Sequence, residues 1–365
     1  MKISELTQFL EQYAPLSYQE SYDNAGLIVG NLNTQITQAL ICLDCIEAVV
    51  DEAIATNCNL IIAHHPIVFK GLKKITGKNY VERVIIKAIQ NNIAIYATHT
   101  NLDSVLNGVN GKIAQKLNLQ NCQILAPKTG VLNKLAVFVP LAFADTLRQA
   151  LFNAGAGNIG NYSEASFNTQ GIGTFKGNNL SNALVGEKNV QHHEAETKIE
   201  VIFESHVTVQ ILQAMRENHP YQEIAYDIYT LNNTHQQVGS GLIGQLPNEV
   251  TEEEFLISLK DKMNVSVIRH TNLLNRKIKT IAVCGGSGSF LLGNALAAKA
   301  NVFVSADFKY HEFFDADNKI LIADIGHHES EQFTQELLMQ IITNKFPTFA
   351  VRLTKINTNP IKYLV

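Results

Sequence analysis

Histidines and carboxylates gather directly after three apolar runs. Leu60-Ile-Ile-Ala63 leads into His64, His65 and Pro66. Ile93-Ala-Ile-Tyr-Ala97 leads into Thr98-His99-Thr100-Asn101-Leu102-Asp103. Ile320-Leu-Ile-Ala-Asp-Ile325 leads into Gly326-His327-His328-Glu329-Ser330-Glu331. In an open α/β sheet the ligand crevice lies outside the carboxyl ends of the strands. If the runs are such strands, His64, His65, Asp103, His327 and Glu331 meet there. Imidazoles and carboxylates without thiolates suit a borderline divalent ion. His327 and Glu331 are four apart and share one face of a helix beginning near Gly326. Neighbours such as His64 and His65 point to opposite sides of an extended chain. They therefore fit two ions better than one, with the two oxygens of Glu331 as the bridge. Two ions about 3.5–4 Å apart activate a water between them. The competing reading is a hydrogen-bonded polar cluster without metal; convergence from three strand ends favours the ions.

Other reactive residues weigh less. Cys42-x-x-Cys45 has redox spacing but sits at a strand end, so core packing is expected. Gly285-Gly-Ser-Gly-Ser289 separates a strand from a helix. It either holds an anion on its amides or is a tight packing turn, and Leu291 stands where a dinucleotide fingerprint needs glycine. Lys70, Lys73, Lys74 and Lys78 follow the His-His-Pro turn. They form a solvated face or, leaving the crevice directly, contacts for an anionic substrate. His192 and His193 fall in a polar stretch and read as a solvated loop; His206, His219 and His235 read as surface or strand-end residues.

The elements that position these groups alternate. In the first third, residues 39–43, 59–63 and 93–98 read as strands, and 46–56, 80–91 and 109–117 as helices. In the last third, strands are expected at 279–284, 302–305, 319–325 and 348–353. Helices are expected at 290–300, around 308–314 and at 331–344. Short continuous apolar strands between helices mean a mostly parallel sheet covered on both faces. The middle differs. A strand at 134–140, a helix at 144–154, a hairpin within 157–176, a strand at 198–204, a helix at 207–218 and a strand at 223–231 give the β-α-β-β-α-β order of a ferredoxin-like domain. An internal repeat supports it at an offset of 64: Lys134-Leu-Ala-Val137 against Lys198-Ile-Glu-Val201, and Leu147 with Leu151 against Ile211 with Met215. The expected organisation is a two-part α/β core, residues 1–127 and 245–365, interrupted by a ferredoxin-like α+β insert at 128–244.

Composition excludes several classes. The chain has 365 residues, 46% hydrophobic and 17% charged, with net charge −4. It is too apolar for a disordered chain and lacks the basic excess of a general nucleic-acid binder. No apolar run approaches the ~18 residues of a membrane span. The amino-terminal stretch reads as an amphipathic helix carrying acids rather than a targeting segment. Five cysteines are an odd, sparse set that fits a reducing compartment. A cytoplasmic location is expected.

Five motifs, in order, resemble one family. They are Tyr22-Asp23-Asn24-Ala25-Gly26-Leu27, Ala63-His64-His65-Pro66, Thr98-His99-Thr100-Asn101-Leu102-Asp103, Ala282-Val283-Cys284-Gly285-Gly286-Ser287-Gly288-Ser289, and Gly326-His327 with Ser330-Glu331. The family is that of the GTP cyclohydrolase type 2 homologs, also called Ngg-interacting-factor-3-like. The insert, with His219-Pro220-Tyr221-Gln222-Glu223, is similar to the PII/CutA-like domain of longer members. The resemblance implies a two-metal site of His64, His65, Asp103, His327 and Glu331, with Glu331 shared, and a toroidal homohexamer. Tyr22 replaces the Trp common in relatives. Gly239-Ser-Gly241-Leu242-Ile-Gly244 lacks the Arg of a frequent Gly-x-Gly-Arg-x-Gly stretch; if that Arg handles an anion in relatives, this chain handles it otherwise or not at all.

The implied reaction is hydrolytic attack on C8 of the guanine ring of GTP, opening the imidazole and releasing formate. His99, His311 and Asp23 are candidates to shuttle protons, or else to orient ligands. Lys70, Lys73 and Lys74 are candidates for the triphosphate. The expected cofactor is two divalent ions, with Zn favoured and Mn, Fe, Co or Ni admitted. A phosphoester hydrolase on the same metals and a non-enzymatic metal-dependent scaffold are the competing functions. Positions left open to water and substrate, as five ligands for two ions leave them, favour catalysis.

Overall fold

Strand–helix alternation organises the first third of the computed structural model, which describes residues 1–364. Helix α1 (Ile3–Tyr13) buries Ile3, Leu6 and Leu10 along one face, the spacing of an amphipathic helix. It is followed by β1 (Gly26–Val29), β2 (Gln38–Asp44), α2 (Glu47–Ala55), β3 (Leu60–His65), α3 (Tyr80–Gln90), β4 (Ala94–Ala97), α4 (Thr100–Asp103), α5 (Val109–Leu117) and β5 (Gln120–Lys128). Strands β2, β3 and β4 lie side by side and parallel. Successive residues face opposite sides. Leu40, Cys42, Ile61, Ala63 and Ile95 pack with Val49, Val84 and Ala88 of α2 and α3, while Ala39, Ile41, Leu60, Ile62 and Tyr96 enter the central core on the other face. Burial on both faces explains why these strands read as unbroken apolar runs.

The middle of the chain forms its own unit, residues 128–236. It contains β6 (Leu132–Pro140), α6 (Ala144–Asn153), β7 (Ser166–Lys176), β8 (Gln191–Glu204), α7 (Thr208–Asn218) and β9 (Tyr226–Leu231). The sheet order is β7-β8-β6-β9, antiparallel throughout. This is the expected ferredoxin-like arrangement. The repeated positions are equivalent: Leu135 and Val137 of β6, and Ile199 and Val201 of β8, pack under Leu147, Leu151, Ile211 and Met215 of the two helices. The expected hairpin within 157–176 is absent. Residues 157–165 form a turn with one isolated bridge, Ile159 to Tyr162, and β7 instead pairs with β8 along its full length. That pairing satisfies the backbone of both strands. It also draws His192 and His193 out of the expected loop into β8, opposite Phe175 and Thr174.

The remainder comprises β10 (His235–Thr251), α8 (Glu252–Lys262), β11 (Arg269–His270), β12 (Lys277–Ser287), α9 (Leu292–Ala297), β13 (Val302–Ala306), β14 (Leu321–Asp324), α10 (His327–Glu331), α11 (Thr334–Lys345) and β15 (Ala350–Leu353). It forms one unit with residues 1–127. The two segments exchange strands. β15 extends the first sheet, ordered β1-β4-β3-β2-β15, and β5 closes the second, ordered β11-β14-β13-β12-β10-β5. The unit boundary after Gln236 leaves Gly244 in mid-strand, paired with Ile281. Two expected helices differ. Residues 310–316 form a 3-10 turn, and the stretch around Glu331 divides into α10 and α11.

Candidate metal centre

His64 and His65 are the last two residues of β3. Their rings do not point to opposite sides, as an extended chain would place them. The ring centroids are 4.9 Å apart, with planes at 48°, and both imidazoles reach Glu331 from α10. His64 Nε2 lies 3.7 Å from Oε1. His65 Nε2 lies 3.0 Å from Oε2, and His327 Nε2 lies 3.2 Å from the same oxygen. Asp103, at the end of α4, brings Oδ1 to 3.7 Å from His64 Nε2. Three of the residues proposed as ligands, His64, His65 and His327, thus contact Glu331, and Asp103 joins the group through His64. They divide into a His64–Asp103 side and a His65–His327 side, with one oxygen of Glu331 facing each.

Three imidazoles are held from behind by carboxylates. His65 Nδ1 meets Asp44 Oδ1 at 2.8 Å, because Asp44 stands opposite His65 in the parallel register of β2 and β3. Thr358 Oγ1 in turn donates to Asp44 Oδ2 at 2.8 Å. His327 Nδ1 meets Asp307 Oδ2 at 2.6 Å. His99 Nδ1 meets Asp23 Oδ1 at 2.7 Å, and the Thr100 amide donates to the other oxygen of Asp23 at 3.0 Å. Such partners fix which ring nitrogen is left for the ligand side.

Burial and charge set the titration. Burial lowers the pKa of His64 to about 4, so this ring is neutral and its Nε2 lone pair or proton is uncommitted. Burial also opposes charge on His65, but Asp44 and Glu331 outweigh it and push the pKa up to about 10. For His327, Glu331 and Asp307 outweigh burial and raise it to about 9. Burial works against an ionised Glu331, yet the surrounding imidazoles hold its pKa well below the usual range. Asp103 is pushed the other way by burial and by the Glu331 charge. Asp23 stays ionised, at about 2, because hydrogen bonds from His99 and Thr100 overcome its burial.

The donor set fits a metal. Both ring nitrogens of His64, and Oδ1 of Asp103, are buried without a hydrogen-bond partner. Orphaned buried polar atoms are costly, and a cation would satisfy them. Ligand atoms of His64, His65 and Glu331 lie within 4.8 Å of one another. Around a tetrahedral ion with bonds near 2.1 Å, ligand atoms sit about 3.4 Å apart, close to the 3.7 Å contacts of His64.

The glycine-rich stretch gives clearance to Glu331. Gly286 has φ +63°, and a Cβ there would stand 2.4 Å from Glu331 Oε1 and 3.3 Å from His327. A Cβ on Gly288 would stand 2.3 Å from Ser305 Oγ. The Gly286 amide is already used by Ser330 Oγ at 2.9 Å, and that of Gly285 by Asn110 Oδ1 at 2.9 Å. The bare backbone of β12 therefore makes room for the carboxylate of Glu331.

Two cavities border the cluster. One, of about 530 Å³, is lined by Tyr22, His99, Asp103, Phe290, His327 and Glu331 among others. The second, of about 430 Å³, is lined by Asp44, His65, Phe69, His99 and the Asn359–Ile361 segment. His99 borders both. A larger cavity, about 800 Å³, lies around Arg269, Tyr310 and Phe314 and carries none of the clustered ligating groups. His311 sits beside it, its ring edge-on to Tyr310 at 5.1 Å, and is not gathered with the cluster. Lys70, Lys73 and Lys74 are exposed on the segment that follows Phe69. Cys42 and Cys45 are buried, unbridged and packed in the core, as expected. Sequence reasoning missed Asp44 and Asp307, although both end or follow parallel strands and the same strand-end rule points to them.

The Duf34/NIF3 (NGG1p interacting factor 3) family model matches residues 1–360. A Bacillus subtilis protein named GTP cyclohydrolase 1 type 2 homolog is 37% identical over 366 residues, 99% of this chain and 98% of that protein. A Halalkalibacterium halodurans protein of the same name is 38% identical over 362 residues, 98% of this chain and 97% of that one. Among solved structures, the Bacillus cereus protein related to NIF3 superposes with a TM-score of 0.83 at 36% identity, covering 100% of this chain and 99% of the other. Staphylococcus aureus protein SA1388 superposes with a TM-score of 0.78 at 30% identity, with the same coverage.

Proposed function

The chain belongs to the Duf34/NIF3 family, and from that premise we propose that it is a metal-dependent hydrolase working at a dinuclear centre. The observation that carries the reading is the division of Glu331, whose two oxygens face different histidines. His64, Asp103 and Oε1 would hold one ion, and His65, His327 and Oε2 the other. Bound divalent ions supply Lewis acidity and bring the pKa of water near 7. Histidine and carboxylate donors favour Zn, with Mn, Fe, Co or Ni accepted by the same set.

The protein's own groups do the rest. His99 has Nδ1 committed to Asp23, which leaves Nε2 to exchange a proton with substrate or water in either cavity. Asp23 keeps the ring in that tautomer. Tyr22 and Phe290, both exposed, flank the larger bordering cavity and offer faces to a planar base. Lys70, Lys73 and Lys74 follow Phe69 in the chain, are exposed and are the candidates for a phosphate chain. This set fits opening of the guanine imidazole of GTP with release of formate, the reaction the family resemblance implies. The lysines fit any phosphate ester equally, so a phosphoester hydrolase is the second reading. The family resemblance extends the proposal to a homohexamer, a PII/CutA-like role for the insert and a cytoplasmic setting. No helix of the described residues is long and apolar enough to cross a membrane.

Formate release from GTP by protein loaded with Zn or Mn tests the reading. Formate production that falls roughly 100-fold or more in His99→Gln, with metal retained, supports it. Intact GTP with turnover of bis(p-nitrophenyl) phosphate moves the assignment to the phosphoester reading. Turnover of neither overturns the hydrolase.

A further inference from the structure

Helices α6 and α7 cover one face of the insert's sheet. The other face carries a cavity of about 510 Å³, lined by Phe138, Phe175, Leu184, Glu196 and Tyr221 among others. All of these residues belong to the insert. The register sets Gly173 opposite Glu194 and Gly171 opposite Glu196. Without a side chain at Gly173, the carboxylate of Glu196 lies across the neighbouring strand; a Cβ there would stand 2.1 Å from Oε2.

Glu196 is only 9% exposed, yet no basic side chain forms an ion pair with it among the described residues, although Lys176 lines the same cavity. The nearby His219 is not its counter-ion. Its Nε2 bonds the Phe138 carbonyl at 2.8 Å, its Nδ1 accepts from the Tyr221 amide at 3.1 Å, and burial lowers its pKa. The Tyr221 hydroxyl is buried beside the Glu196 carboxylate, whose hydrogen bond and charge, after burial itself, push its pKa up; a neutral hydroxyl leaves the carboxylate's charge without a counter-ion. A buried carboxylate needs a compensating charge or hydrogen bonds. Here it faces a cavity of ligand size with three aromatic side chains, which attract cations by their ring quadrupoles.

We infer that the insert binds a small organic ammonium ion, a primary amine on a compact aromatic or apolar body. The ammonium donates to Glu196, and the Tyr221 hydroxyl provides an acceptor lone pair beside it. The body packs against Phe138 and Phe175 in place of water. The loop over residues 177–184 forms the outer wall. It is held by the Asn182 amide on Gln222 Oε1 at 3.1 Å and by Ser181 Oγ on the Asn178 carbonyl at 2.8 Å.

Calorimetric titration of the full chain with 2-phenylethylamine tests the inference, with 2-phenylethanol as neutral counterpart. Saturable amine binding is expected, weakened about tenfold or more for the alcohol and for Glu196→Gln, with metal content unchanged. Leu184→Trp changes an exposed residue at the mouth and should block binding while leaving the melting curve intact, so the test survives misfolding of the Glu196 variant. Absence of amine binding at millimolar concentration, or undiminished binding by either folded variant, overturns it.

Discussion

The two sheets of the core bring ligands to the centre by different means. The first delivers His64 and His65 from within β3, and its register supplies Asp44 to hold His65. The second delivers His327 and Glu331 from the short helix α10, behind Gly326, and keeps the adjacent backbone of β12 bare to admit the carboxylate. Ligands on a strand are fixed by strand pairing. Ligands on a short helix depend instead on what the neighbouring strand leaves out.

Removing the shared residue should have the largest effect. Glu331→Ala should lose both ions, measured as metal per chain after gel filtration, whereas His64→Ala should keep the ion on the His65–His327 side. Next comes the bare strand. Gly286→Ala should cost about 1–3 kcal/mol in denaturant unfolding, because its φ of +63° and the 2.4 Å approach to Glu331 leave no relaxed place for a methyl group. It should also weaken metal binding. Gly293→Ala, with no heavy atom within 4 Å and a place in α9, should instead stabilise by about 0.4–1 kcal/mol.

The carboxylates behind the imidazoles hold one ligand of each sheet. Asp44→Asn in the first sheet and Asp307→Asn beside the second should each weaken metal affinity roughly 10–100-fold, measured by competition with a chromophoric chelator. Equal losses would mean that register and helix placement hold their ligands equally well. The smallest effect is on pH dependence of the metal-free protein. His65 and His327 have pKa values raised to about 10 and about 9. Their contribution is fully present below the unfolded value near 6.5 and is lost as pH rises through 9 to 10. The melting temperature of stripped protein should fall over that range. Metal-loaded protein, whose imidazoles are neutral ligands, should not follow it.

Much of this centre is legible in the sequence because it sits at strand ends. The doubly buried strands β2, β3, β4, β13 and β14 read as apolar runs, and the residue after each run is placed by topology alone. That rule brings His64, His65 and Glu331 each to a strand end; that β3 and β14 belong to different sheets, whose ends meet at Glu331, is not written in the runs. The rest depends on tertiary detail. Gly285-Gly-Ser-Gly-Ser289 has the composition of either an anion loop or a clearance turn; only the position of Glu331 separates them. The splay of His64 and His65 about one carboxylate violates the simple alternation of a strand. It occurs where β3 ends, while the pairing of β3 with β4 stops at Ala63. In the insert, the length of β8 was hidden because Gln191-His-His-Glu194 is polar on both faces. Its partner β7 is equally exposed, so no burial pattern marks the pairing.

An anomalous difference map at the zinc edge, from crystals grown with excess Zn, would count and locate the ions of the dinuclear centre. Two peaks flanking Glu331 are expected, one against His64 and Asp103 and the other against His65 and His327. A single peak, or none at full loading, would contradict the dinuclear assignment.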